Sequence, residues 1–376
     1  MSRPRLLLLS GGSLVGQNVL ASLGDWRRRS HVAAMTSEPD EPAVFDFDAV
    51  YLAPEVGARA YEFALRFDEV MAHCSPDLVI PCRDDDVSFL SAERARRPAL
   101  AARLLCGDAE VAAAMLDKLR SAEFSARHGL PFAPTITADR GEDAVRRFAA
   151  EHGFPLIAKP RRGFASRGVR LIVEPAQIGP ACAQTDTVLQ KYFGNGGAVR
   201  RLAADITARG LPLFHSLEDT KLSLQASIAP DGAVSGVFAS DNLMRMGRSE
   251  RVRVVEDSEV LATARRWADV FSRDGWRGPL NIQCHRDTSG VLTIYEYNGR
   301  FTGATAARQW LGFDEVGLVL RDWVGLDLPA ATDTPAREVI RTLVSRVRRP
   351  AHVERLRRDG YWETPEAPRT TRAGAP

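Results

Sequence analysis

No stretch of the 376-residue sequence approaches the ~18 consecutive apolar residues of a membrane span. The opening Met1–Ser10 carries two arginines and four leucines, a faint likeness to a secretion signal. Its apolar run is too short and breaks at Gly11-Gly12, so the expectation is a first buried strand. The five cysteines, Cys74, Cys82, Cys106, Cys182 and Cys284, are odd in number and contain no CxxC pair. That argues against a disulfide scaffold and for a reduced, cytoplasmic setting. The net charge of +2 argues neither for nor against nucleic acid, but aromatics make up only 7% and are not interleaved with basic residues, so no nucleic-acid partner is expected. The phosphate-binding GxxxxGK[ST] pattern is absent. Gly11-Gly12-x-x-x-Gly16 lacks the GxGxxG spacing of a dinucleotide site, and only Glu38 stands as a distant acid after the second strand. There is no compelling Ser-His-Asp or Cys-His set and no internal repeat. What remains, 45% hydrophobic and 26% charged residues, is an ordinary composition with length for two or three domains.

Residues 5–105 alternate strand and helix signals. Arg5–Leu9, His31–Met35 and Asp77–Pro81 read as strands, and Gln17–Leu23 and Ala60–Cys74 as helices. Strands separated by helices imply a parallel, doubly wound sheet. Residues 106–150 read as mainly helical, with Asp108 an N-cap and Gly129 a C′ glycine. From Phe154 the chain reads as an antiparallel α+β region. Its strands are Phe154–Ala158, Val169–Val173, Val188–Gln190, Leu222–Ile228, Val234–Ala239, Leu280–Cys284 and Leu292–Tyr297, with few helices among them. Glu259–Arg273 is the clear amphipathic helix, with Val260, Leu261, Ala264, Trp267, Ala268 and Phe271 on one side. From about Glu363 the tail is polar, Pro-rich and expected to be disordered.

The chemistry gathers near the end of that region. Gly278–Cys284 and Leu292–Asn298 flank Asp287-Thr288-Ser289-Gly290, a tight-turn sequence. Side chains alternate along a strand, so Glu296 and Asn298 share a face. A hairpin closing symmetrically on Thr288 and Ser289 sets Gln283 opposite Ile294 and on that same face. A carboxylate and two amide oxygens suit magnesium better than zinc. The other reading of the three is a solvent-facing strand edge. Lys159 ends an apolar strand and precedes a glycine-bearing loop, Gly163 to Gly168, containing Ser166. That is either a phosphate grip or a hairpin turn. Lys118 lies within a helical stretch, as a solvated or a functional residue. Val188–Gly194 is a core strand running into a turn. Arg245, Arg248, Arg251 and Arg253 form a basic loop, either solvated or a clamp for an anion, with Arg251 and Arg253 on one strand face.

Taken in order, these pieces resemble the ATP-grasp superfamily over roughly residues 5–325, in its branch near the carbamoyl-phosphate synthase large chain and carboxylate–amine ligases. Pro76–Pro81 with Asp84-Asp85-Asp86 resembles the family's pre-ATP-grasp domain. Asp117-Lys118 with Gly129-Leu130-Pro131, and Gly153–Pro160, resemble its lysine-bearing segments. Val188–Gly194 resembles the adenine hinge, and Gly278–Gln283 with Glu296–Arg300 the closing metal and phosphate strands. The resemblance implies an N-terminal Rossmann-like domain (1–105) and two α+β subdomains clasping ATP (106–190 and 191–330), then an extension (331–376). It implies that Lys118 and Lys159 touch ATP phosphates and that the Gly163, Ser166 and Gly168 loop closes over them. Gln190, Lys191 and Tyr192 would frame adenine. Gln283, Glu296 and Asn298 would hold one or two magnesium ions, manganese being the alternative. Arg300 would face the transferred phosphoryl group.

The implied activity is an ADP-forming ligase that joins a small carboxylate to an amine through an acyl-phosphate. The alternatives are a non-catalytic ATP-binding protein and an enzyme making a simple acyl-phosphate. A homodimer is compatible with either. Two departures stand out. No acid follows the hinge to bind ribose, leaving Glu218 or Asp219, with Lys221 nearest the expected position. Gly299 replaces the family's usual proline, which loosens φ there.

Overall fold

The computed structural model describes residues 3–163, 168–212, 219–245, 247–326, 335–342 and 344–364. Four short strands, β1 (Arg5–Leu9), β2 (His31–Thr36), β3 (Ala49–Leu52) and β4 (Leu78–Pro81), lie parallel in the order β3-β2-β1-β4. The four leucines of β1 show why this run is apolar throughout. Leu7 and Leu9 pack with Phe63, Phe67 and Val70 on one face, and Leu6 and Leu8 with Val19, Leu23 and Trp26 on the other. A parallel sheet covered on both faces has no polar side to advertise.

The second sheet is antiparallel, β5 (Thr135–Thr137), β6 (Leu156–Pro160), β7 (Arg170–Ile172) and β8 (Thr187–Lys191), in the order β5-β8-β6-β7. Val145 and Ala149 of the helix Glu142–His152 close its core against Leu156, Ala158 and Leu189. The third sheet is the largest. It comprises β9 (Asp219–Ile228), β10 (Val234–Arg245), β11 (Arg248–Val254), β12 (Gly278–Arg286), β13 (Leu292–Asn298) and β14 (Glu338–Ile340), in the order β13-β12-β9-β10-β11-β14. The amphipathic helix forms as expected over Ser258–Arg273. Asp257 caps it, accepting from the N–H groups of Glu259 and Val260 at 3.0 and 3.2 Å. Its buried Val260, Trp267 and Phe271 each contribute about 1.5–3 kcal/mol of burial.

Several elements depart from the sequence reading. The region after Phe154 holds more helix than expected, notably Gly196–Arg209 between Val188–Gly194 and Leu222. Strands β3, β5, β14 and β15 (Tyr361–Glu363) were not anticipated. β15 pairs antiparallel with β3, returning the tail to the first sheet with Leu356 and Trp362 buried. The expected disorder of the tail concerns residues 365–376, which lie outside the described residues. Among the described residues no helix is long and apolar enough to cross a membrane.

Candidate active site

The site is built on the β12–β13 hairpin. Asp287 ties the turn, its carboxylate accepting from the N–H groups of Ser289 and Val291 at 2.9 Å each. The pairing corrects the symmetric register. Gln283 lies opposite Glu296, Asn281 opposite Asn298 and Cys284 opposite Ile294, so Tyr295 is the extra residue of a bulge. Directly paired residues share a face, so Gln283, Glu296 and Asn298 still converge, and Asn281 joins them. The Asn281 side-chain oxygen accepts from the amides of Asn298 at 3.1 Å and Gln283 at 3.3 Å. The other side of β13 is anchored in the core. The Tyr297 hydroxyl meets Ser125 Oγ at 2.7 Å, and its ring packs against Phe271.

One carboxylate and amide oxygens on a common face form a hard-oxygen donor set suited to magnesium. Two of those oxygens already have cationic neighbours. Gln283 Oε1 accepts from Lys221 Nζ at 3.0 Å, and Asn298 Oδ1 from Arg300 Nη2 at 3.1 Å. Glu296 fits a metal directly, whereas Gln283 and Asn298 fit it by exchanging these contacts. Among the described residues no cluster of three His, Cys, Asp or Glu offers a rival metal site.

Lys159 reaches the same place from the end of β6. It is only 6% exposed, and its ammonium donates to Gln190 Oε1 at 2.7 Å and to the Tyr295 carbonyl at 3.3 Å. Gln190 is itself buried and donates on to Thr135 Oγ1 at 3.0 Å. Its side chain is thus a clamp on Lys159. Burial lowers the Lys159 ammonium from 10.5 to about 8, Glu296 opposing the shift and Lys118 adding to it.

Lys118 is helical, but at a first position and not in the middle of a continuous helix. It opens the helix Lys118–Arg127, at a break after Ala109–Leu116. Asp117 makes the break by capping that helix, its carboxylate accepting from the N–H of Leu119 at 3.0 Å. The same carboxylate holds Arg161 through two hydrogen bonds at 3.2 and 2.7 Å. Lys118 is thereby aimed at the loop after β6, with Nζ 3.4 Å from the Arg161 carbonyl and 3.5 Å from that of Gly163. Gly163 and Gly168 flank that loop with φ of +139° and +72°. Ser166 lies outside the described residues.

Two cavities share Ile157, Lys159 and Tyr295 in their linings. The smaller, about 120 Å³, is lined by Ile157, Gln190, Lys191, Tyr192, Phe193 and His285 among others. Phe193 stacks on His285 with ring centres 5.3 Å apart. The larger cleft, about 730 Å³, is lined by Lys118, Lys159, Gln283, Glu296, Asn298 and Arg300 together with other residues. Of the residues expected to act together, Gln190, Lys191 and Tyr192 line the smaller cavity, Lys118, Gly163, Gln283, Glu296, Asn298 and Arg300 the larger, and Lys159 both. Phe193, His285 and Asn281 are additions.

Arg300 is engaged at rest. Its Nε donates to Asp84 at 2.6 Å and its Nη1 to the Phe301 carbonyl at 3.2 Å. Burial opposes its charge, yet Asp84 and then Glu296 keep its pKa above the ordinary arginine value. Gly299 owes its lack of a side chain to close packing, not to φ. A Cβ there would lie 2.6 Å from Met115 and 2.7 Å from the fully buried Trp276. The arginine loop also differs from expectation. Arg251 and Arg253 both face Glu338 of β14, at 3.9 and 2.8 Å, while Arg248 lines the large cleft. Glu218 and the side chain of Asp219, the ribose candidates, lie outside the described residues. Lys221 is the partner of Gln283.

No protein-family model and no curated protein sequence matches the chain. Solved structures do. The ADP complex of purK, N5-carboxyaminoimidazole ribonucleotide synthetase, superposes with a TM-score of 0.64 at 14% identity, covering 96% of this chain and 85% of that one. The same synthetase from Thermus thermophilus gives 0.62 at 18%, covering 87% and 80%. The biotin carboxylase domain of 2-oxoglutarate carboxylase from Hydrogenobacter thermophilus, in complex with MgADP, ADP and bicarbonate, gives 0.61 at 16%, covering 87% and 71%. At such identities the likeness is one of fold. Three sheets in this order, the second and third antiparallel and joined by the Lys159–Tyr295 hydrogen bond, give the chain the ATP-grasp fold behind a Rossmann-like domain.

Proposed function

We propose that the protein is an ATP-dependent, ADP-forming ligase that activates a carboxylate as an acyl-phosphate and joins it to an amine. The observation that carries this reading is the buried Lys159, which lines both cavities and shares the larger one with Lys118, Glu296, Asn298 and Arg300. Solved structures of the same fold hold ADP, ATP or MgADP, and one also holds bicarbonate. We assign residues 1–105, 106–190 and 191–330 to the three domains such a ligase uses.

In this reading adenine lies in the smaller cavity, against Ile157, Tyr192 and Phe193, with Gln190 and Lys191 on the hinge. Lys159 and Lys118 neutralise the phosphates, and the Gly163–Gly168 loop closes over them with backbone N–H groups. Glu296, Asn298 and Gln283 would hold magnesium, or manganese in its place, which supplies charge neutralisation at the phosphates. The substrate carboxylate attacks the γ-phosphorus and ADP leaves. Arg300 then stabilises the acyl-phosphate, and the amine expels inorganic phosphate. Positioning and charge carry such a reaction, which fits the lack of a dedicated base.

A second reading is a nucleotide-binding protein without turnover. It is favoured by the contacts that Lys221, Arg300 and Asp84 make on the proposed machinery. Titration of MgATP, then an ADP-release screen of carboxylate and amine mixtures with mass spectrometry of the products, separates the two. Binding with no ADP release from any mixture supports the second. Absence of binding removes both.

A further inference from the structure

The lining of the large cleft includes two arginines to which the ligase mechanism gives no role, Arg341 and Arg248 of the basic loop. Arg248 opens β11, and Arg341 directly follows β14, which pairs with β11. Both line the cleft, together with Met244, Asn242 and Ser249. Arg341 is half-buried and donates from Nη1 to the Ser249 carbonyl at 3.0 Å. Among the described residues neither Arg248 nor Arg341 has a carboxylate within 4.0 Å. The neighbouring arginines differ in this respect, since Arg251 and Arg253 share Glu338 and Arg245 takes Glu250. The nearest charges to Arg341 act against it. Burial, then Arg308 and Arg248, lower its pKa.

The carboxylates on the cleft wall do not answer this charge. Glu41 faces Arg83 at 3.4 Å and Glu296 interacts with Lys159 and Arg300. Arg308 is paired elsewhere, with the buried Glu315. Two guanidinium groups lining one cleft, the half-buried Arg341 and the exposed Arg248, with no carboxylate beside either, favour an anion there. Planar guanidinium forks match carboxylate and phosphate oxygens in particular. The cleft is also lined by Ser13, Leu14 and Val15 at the start of the nine-residue helix Leu14–Ser22, whose positive end favours the same sign of ligand.

We propose that Arg248 and Arg341 form an anion subsite for the substrate, so that the ligase acts on a molecule bearing a carboxylate or phosphate in addition to its reacting group. This rests on the ligase reading above and narrows its substrate class.

The test is calorimetric titration of the full chain with inorganic phosphate and, separately, with succinate. Saturating MgADP is present to occupy the nucleotide end. The wild type is expected to bind at least one probe, and Arg248→Gln and Arg341→Gln to weaken it about tenfold each, with MgADP affinity unchanged. Phosphate alone indicates a phosphorylated substrate, succinate alone a second carboxylate, and both the shared chemistry. Failure of the wild type to bind either probe, or equal binding by the double variant, overturns the proposal. Should Arg341→Gln not fold, the exposed Arg248→Gln decides by the same criterion. Should the wild type not bind MgADP, the nucleotide reading falls, and titration of the probes without nucleotide still judges the arginines.

Discussion

Lys159 offers the sharpest test, because its burial ties nucleotide binding to pH. The ammonium titrates near 8 in the folded protein, against 10.5 ordinarily. From pH 7 to pH 9 the charged fraction falls about tenfold, so MgADP should weaken by about tenfold over that range. Lys159→Met keeps the length and removes the charge. A charge-assisted hydrogen bond contributes about 1.5–3 kcal/mol, so the variant should bind MgADP about ten- to a hundredfold more weakly at pH 7. Its affinity should then change little to pH 9. Stability should move the other way. Between pH 8 and 10.5 the unfolded chain holds a proton at this lysine that the folded chain has released, so stability rises with pH there. The wild type should gain about 2.5 kcal/mol on the variant between pH 7 and pH 10, a difference unaffected by the hydrogen bonds the variant loses at every pH. Calorimetry of MgADP binding and urea unfolding at matched pH read both effects. Parallel pH profiles for wild type and variant would refute the argument, whatever their absolute affinities.

Further outcomes follow from other contacts. Glu296→Gln with Asn298→Ala should abolish the difference between ADP binding with magnesium and with EDTA; an unaltered magnesium effect in calorimetry would remove these residues from the metal site. Asp117→Ala removes a helix cap and the buried partner of Arg161, at a cost of about 3 kcal/mol at pH 7. Burial raises the Asp117 pKa, but Arg161 and the N–H groups of Arg120 and Leu119 more than offset it. The contribution is therefore present above the ordinary carboxylate range and fades as acid protonates Asp117, so urea unfolding at pH 3 should show a smaller difference than at pH 7. Gly299→Ala should cost about 1–3 kcal/mol through contact with Trp276, measured as a lower urea midpoint at unchanged slope.

The side chains legible in the sequence were those whose chemistry follows from strand alternation. Glu296 and Asn298 share a face for any hairpin containing them, and Lys159 ends an apolar run that could only be a strand. The bulge at Tyr295 left no trace, because one extra residue in a polar-edged strand changes neither composition nor turn. It shifted the register by one residue, and a turn that pairs Arg286 with Leu292, and so centres on Ser289, shifted it by another, which together moved the partner of Gln283 from Ile294 to Glu296; two slips restore the face that either alone would have reversed. Asn281 was visible by the same two-residue spacing from Gln283 and was passed over, since an amide among apolar neighbours reads as core. Its oxygen nonetheless ties Gln283 and Asn298 together.

What stayed illegible depends on pairings far apart in the chain. Arg300 meets Asp84 across 216 residues, and β15 reaches β3 across some 300. β3, β14 and β15 span four, three and three residues, too few to show a period. The arginine loop illustrates the consequence. Arg251 and Arg253 were singled out for their shared face, and that inference was sound. But Glu338, 85 residues beyond Arg253, pairs with both of them, while Arg248 and Arg341 in the cleft have no carboxylate beside them. A sequence states which cations share a strand face; only the fold states which of them still lack a counter-charge, and it is that deficit, not the number of arginines, that selects a ligand.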